Sequence, residues 1–151
     1  MVNRYVVNAE AAVVDDEGRY LMAVRGAGEE HAAGLLSLIG GKVDVDEPTG
    51  DVLEATLHRE ILEETGVGVH PDMAYVESKV FFGEENGERV PVVDVVFLCR
   101  YRDGTAVVGD PDEVAEVRWM TADEISEHPK TPIWTRQSVE RCEARRAAPA
   151  R

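Results

Sequence analysis

An α/β domain with a mixed sheet flanked by helices is the fold class that this sequence predicts. Three observations predict it. Arg4 to Val14 with Arg19 to Arg25, and Ala74 to Phe82 with Val90 to Tyr101, form hairpin-like pairs of apolar runs that demand antiparallel neighbours. These runs alternate irregularly with only a few helical segments. The 151 residues, 44% hydrophobic and 30% charged, have the size and composition of one globular domain, able to bury roughly two thirds of its unfolded surface.

The first two strands are separated by Asp15, Asp16, Glu17 and Gly18, a turn composition. Gly26 to Ala33 reads as a polar loop, and Leu35 to Ile39 as a short strand ending at Gly40-Gly41, where glycine marks a turn or a close backbone approach. Acids, Pro48 and Gly50 make 44–51 a loop, with Thr49 or Asp51 available to cap a helix from about Asp51 to Thr65 that stops at Gly66. Val67 to Val69, Ala74 to Phe82 and Val90 to Tyr101 then read as strands, the last two joined by a turn at Gly83 to Glu88. A further strand at Val114 to Met120 precedes helices at Ala122 to Glu127 and from Ile133 to about Arg145. The Arg- and Ala-rich end reads as a frayed tail, leaving 1–145 as a single domain and 146–151 disordered.

Several function classes are disfavoured. A net charge of −14 repels duplex nucleic acid, whereas a small phosphorylated molecule remains compatible when a divalent cation bridges acids and phosphates. No stretch approaches about 18 uninterrupted apolar residues and the N-terminal segment lacks a signal-peptide pattern, so no membrane association and a cytoplasmic location are expected. Cys99 and Cys142 have no paired spacing and are expected as free thiols.

The helix at 51–65 breaks local rules. At about 100° per residue, Thr56, Glu60, Glu63 and Glu64 share one arc bordered by Leu53 and Leu57. Carboxylates at these spacings repel one another, and the last turn of a helix disfavours negative charge. A solvated acidic face is the ordinary reading of such a pattern. Clustered acids beside an apolar stripe instead suit a divalent cation, and hard oxygen ligands favour Mg²⁺, or Mn²⁺, over zinc.

The stretch from Gly41 to Val67 resembles the signature of the Nudix hydrolases. Arg59-Glu60-Ile61-Leu62-Glu63-Glu64-Thr65-Gly66-Val67 matches its second half without exception. The first half departs from it. Glu47 stands five residues after Gly41 as expected, yet eleven residues rather than seven separate it from Arg59, and counting back from Arg59 reaches Asp51 instead. A four-residue loop extension accounts for this and leaves Glu47 and Asp51 as alternatives for the first acid. Ile39 also replaces the usual proline before the glycine pair, and the stretch Glu113 to Ile125 resembles the family's late strand and the short helix after it.

The resemblance implies an α/β/α sandwich with a mixed parallel and antiparallel sheet, and a metal-dependent hydrolase cutting the diphosphate linkage of a nucleoside diphosphate derivative: a nucleoside triphosphate, nucleotide sugar or dinucleotide. It implies metal ligands at Glu60, Glu63, Glu64 and the backbone carbonyl of Gly41, with Arg59 orienting a box glutamate. The general base falls to Glu63 or to an acid before the late strand, Glu113 or Glu116, with Glu113 preferred because it precedes the apolar alternation. Lys42 and Arg25 are candidates for phosphate oxygens, although both also suit a solvated surface.

Tyr75, Phe81, Phe82 and Trp134 are candidates for stacking on a base, although strand aromatics are more often core, and Trp119 is assigned to packing. None of His31, His58, His70 and His128 has ligand spacing. Two other readings accompany the hydrolase: a nucleotide-sensing module of the same fold, and a hydrolase of a non-nucleotide diphosphate such as an isoprenoid or inositol compound. A homodimer is compatible with the sequence.

Overall fold

A computed structural model describes residues 3–29 and 32–148. Its elements in chain order are β1 (Val6–Val14), β2 (Tyr20–Arg25), β3 (Leu36–Ser37), β4 (Ile39–Lys42), α1 (Val52–Thr65), β5 (Gly68–Glu85), β6 (Glu88–Asp103), β7 (Val114–Met120), α2 (Ala122–Glu127) and α3 (Ile133–Ala147). Among the described residues the strands form one mixed sheet of order β3-β2-β1-β6-β5, with β4 also paired to β1 and β7 to β2. β1 and β6 run parallel from Val6↔Val92 to Val14↔Arg100, and the other pairs are antiparallel.

Alternation along β1 divides the core into two layers. Ala9, Ala11 and Val13 face α1, where they meet Leu57 and Ile61. Ala12 and Val14 face the other way, onto Ile125 of α2 and Val139 and Cys142 of α3. The expected α/β/α sandwich results. No helix among the described residues is long and apolar enough to cross a membrane.

Several elements differ from the sequence reading. The single short strand expected at Leu35 to Ile39 is two, because the chain leaves β2 at Ser37 and joins β1 at Ile39. The glycine pair therefore lies within β4. Close approach is its reason: a side chain on Gly40 would collide with the Ala9 carbonyl, and one on Gly41 would come within 2.6 Å of the Glu60 carboxyl carbon.

The two strands expected at Val67 to Val69 and Ala74 to Phe82 are one long strand, β5, whose register with β6 shifts between Val69 and Met73 and between Tyr75 and Glu77. Pro71 is tolerated there because β5 lies at the sheet edge. The turn expected over Gly83 to Glu88 shrinks to Asn86-Gly87, both at positive φ, the geometry of a two-residue hairpin turn. Asp51 takes the helix-start position, but at φ 47 its side chain makes no capping bond. α3 runs through Arg145 to Ala147, while 149–151 and His31 lie outside the described residues.

Candidate active site

β1 has two partners along one edge. β2 pairs with it only at Val14↔Tyr20, whereas β4 pairs with it from Asn8 to Ala11. Between the diverging β2 and β4 a cavity of about 480 Å³ opens, reaching α1 and the turn before β7.

α1 delivers its acids to this cavity unequally. Glu64 is 7% exposed and the Glu60 side chain 14%, whereas that of Glu63 is 59% exposed. Glu113 arrives from a turn in which Glu113 N–H and Val114 N–H donate to the Asp110 carbonyl, and Gly26 N–H ties that turn to the end of β2 by donating to the Glu113 carbonyl at 2.8 Å. One carboxylate oxygen from each of Glu60, Glu64 and Glu113 lies within 4.8 Å of the others.

Glu63 stands outside this group, on the far edge of the helical arc, where its Oε2 accepts from Arg59 Nη1 at 3.4 Å. The same nitrogen donates to Glu60 Oε1 at 2.9 Å. Arg59 thus bridges an inward acid and an outward one.

Electrostatics mark the cluster as incomplete by itself. Burial, with Glu113 and Glu60 beside it, pushes Glu64 up to about 9. Burial also raises Glu60, against the opposing pull of Arg59. The C-terminal end of α1 is partly relieved, since Val107 N–H and Gly109 N–H donate to the carbonyls of Thr65 and Glu64. Around the Glu64 carboxyl the near charged neighbours are other acids, Glu60 and Glu113. Three converging carboxylate oxygens, those of Glu60 and Glu64 raised above the ordinary carboxylate range by burial, fit a hard divalent cation.

The other predicted residues divide plainly. Arg25, Gly41, Lys42 and Arg59 line the cavity with the three acids. Arg25 Nη2 holds Glu29 Oε2 at 3.0 Å. Glu47 and Asp51 are exposed outside it, and Asp44 of the same loop lines it instead. Glu116 pairs with Arg118 at 3.4 Å. Tyr75, Phe81, Phe82 and Trp134 lie outside the lining, as do His58, His70 and His128, and Trp119 packs on the α1-side core with its ring edge-on to Tyr101. Cys99 and Cys142 are buried and free. Asn8 and Glu10 were missed, although polar residues two apart inside an apolar central strand are a legible signal.

The family model described as NUDIX domain matches residues 4–142. The chain belongs to the NUDIX family. Among solved structures, a MutT NUDIX hydrolase from Burkholderia pseudomallei is 30% identical, with 92% of this chain and 98% of that one covered at a TM-score of 0.72. The MutT protein from Methanosarcina mazei Go1 shares the fold at 24% identity, covering 98% and 99% of the two chains, with a TM-score of 0.75. The NUDIX domain of Shewanella oneidensis NrtR, solved in complex with ADP ribose, shares it at 19% identity, covering 97% and 91%, with a TM-score of 0.74. No curated protein sequence matches significantly. The chain is thus a Nudix hydrolase, of a family built to break pyrophosphate bonds, and two of its three clustered acids, Glu60 and Glu64, lie on the helix that carries the family signature.

Proposed function

We propose that this Nudix hydrolase uses Mg²⁺ or Mn²⁺ to cleave the diphosphate linkage of a nucleoside diphosphate derivative, with Glu60, Glu64 and the Gly41 carbonyl as metal ligands. The observation that carries the reading is the convergence of Glu60, Glu64 and Glu113 in one cavity whose rim supplies Arg25 and Lys42. A bound divalent cation neutralises non-bridging phosphate oxygens and lowers the pKa of a coordinated water.

The chain's own residues do the rest. Arg25 and Lys42 bind phosphate oxygens and orient the diphosphate. Arg59 holds the Glu60 carboxylate in place, with Glu63 as its second anchor. Glu113 takes the proton of the attacking water as oxygen adds to phosphorus. The bridging P–O bond then breaks, and the leaving phosphate departs with the electron pair.

The test is product release from nucleoside triphosphates, nucleotide sugars, dinucleotides, ADP ribose, a prenyl diphosphate and a diphospho-inositol, with Mg²⁺ or Mn²⁺ against chelator. ADP ribose earns its place from the ligand of the Shewanella domain. Metal-dependent turnover of a nucleotide that vanishes in Glu64→Gln supports the reading. Turnover confined to the non-nucleotide compounds, or nucleotide binding without any turnover, sinks it.

A further inference from the structure

The same cavity has a second chemical character, at the end away from the metal acids. Asn8 and Glu10 stand on β1 at alternate positions, pointing to the α3 side of the sheet, and both line the cavity. Behind them Asp94 of β6, only 1% exposed, sits opposite Asn8 in the parallel register. Asn8 Nδ2 donates to Asp94 Oδ1 at 2.7 Å, Lys79 Nζ lies 3.9 Å from Asp94 Oδ2, and the Glu10 carboxyl is the near acidic neighbour of Asp94.

Lys79 is in turn fixed from the helix layer, donating to Ser138 Oγ at 2.8 Å and Glu77 Oε1 at 3.2 Å. The floor is therefore braced by β5, β6 and α3. Only its front residues reach the cavity.

This arrangement is an expensive way to fill space. Two adjoining carboxyls in the middle of a central strand pair cost desolvation that apolar residues of similar volume avoid. Burial, together with the Asp94 carboxyl beside it, pushes Glu10 up to about 8, against the opposing influence of Lys79 and Arg25. The front of the floor thus offers an amide and a carboxyl able to donate as well as accept, held rigidly.

Each class of substrate moiety meets this floor differently. A phosphate is repelled by the acids and is better served at Arg25 and Lys42. A prenyl chain leaves Asn8 and Glu10 unpaired after losing their water. An uncharged group carrying both donors and acceptors satisfies them.

We propose that Glu10, held by Asp94 with Asn8 beside it, is a specificity-determining residue that reads an uncharged hydrogen-bonding edge on the non-phosphate part of the substrate. A nucleobase and a sugar share that chemistry. The inference deepens the proposed function and rests on it for the orientation of the diphosphate.

The experiment measures equilibrium binding in chelator, and kcat and KM with metal, for wild type, Glu10→Leu, Glu10→Gln and Asn8→Leu, each checked for a cooperative thermal melt. One arm varies the base across the four nucleoside triphosphates. A second fixes uracil and varies the sugar across UDP-sugars. A prenyl diphosphate serves as control.

The expected result is that Glu10→Leu weakens binding of the preferred compound by about 10- to 100-fold, chiefly in Kd and KM, and flattens the preference within one arm. Glu10→Gln stays within about threefold because it keeps a donor and an acceptor. Flattening in the base arm assigns the contact to the nucleobase, and flattening in the sugar arm assigns it to the sugar. A uniform loss across all compounds including the control, or a loss in kcat alone, overturns the proposal. If Glu10→Leu does not fold, the same readout on Asn8→Leu decides it. Should wild type turn over nothing, the proposed hydrolysis fails by itself, and the binding arms still decide the role of Glu10.

Discussion

Glu64 and Glu77 are two glutamates buried to nearly the same depth, 7% and 9% exposed, in different parts of the molecule, and their surroundings drive them in opposite directions. Burial disfavours the charge of each. Around Glu77, Ser138 Oγ donates at 2.7 Å, Lys79 Nζ at 3.2 Å, and Arg141 Nε lies at 2.7 Å, so its carboxyl ends below the ordinary range despite burial. Around Glu64 the neighbours are Glu113 and Glu60, and its carboxyl rises to about 9. Depth alone therefore says little about role. The acid left without a counter-charge is the one proposed to hold the metal, and the fully partnered one pins α3 to β5.

The largest effect expected to separate the two is catalytic. Glu64→Gln should lower metal-dependent kcat by on the order of 10³-fold, in the range for removing one electrostatic element of an active site. Glu77→Gln should leave kcat within about threefold, since Glu77 lies outside the cavity lining. Comparable losses in both would erase the distinction.

Next in size is stability in chelator at pH 8, followed by urea unfolding. Glu77→Ala strips Lys79 and Arg141 of their shared acceptor and should destabilise by about 3 kcal/mol. Glu64→Gln replaces a carboxyl that must take up a proton to stay buried at this pH, and should stabilise by about 1–2 kcal/mol, at the expense of activity. A destabilised Glu64→Gln would mean that its acidic neighbours are not the burden described above.

A smaller effect is expected from pH. The folded value of Glu64, about 9, lies above the ordinary 4.5, so its contribution is fully present below pH 4.5 and drains away as pH rises towards 9. Glu77 is shifted the other way, and its contribution is present above the ordinary value and lost as pH falls through its depressed folded value. Metal-free protein should therefore lose stability between pH 5 and 9 in thermal melts, and Glu64→Gln should flatten that slope while Glu77→Gln leaves it in place.

The smallest expected effect is at Arg59. Its ion pairs with Glu60 and Glu63 are half exposed, so Arg59→Ala should weaken apparent metal affinity by about tenfold without a measurable loss of stability. The dependence of turnover on metal concentration would show it. An unchanged metal requirement would reduce Arg59 to a surface cation.

Much of this was legible without coordinates. The limits of β7 and α2 were anticipated to the residue, and their causes are local: the apolar run from Val114 to Met120, and a capping box that the structure forms between Thr121 and Glu124. The unity of β5 was not legible. The sequence reading leaves a gap between Val69 and Ala74, which holds Pro71, and only the edge position, where a missing ladder bond costs nothing, lets the strand run through it.

By itself the sequence determined the class of fold, the acidic helix and the chemistry that its glutamates suit, because helix periodicity and cap residues act over three or four neighbours. Only the tertiary structure decided which acids meet. Glu113 joins Glu60 and Glu64 through the pairing of β7 with β2, Glu63 is turned outward by one helical step, and Glu10 finds Asp94 through the parallel register of β1 on β6. Those meetings depend on strand partners distant in the chain, and no local pattern encodes the register that brings them together.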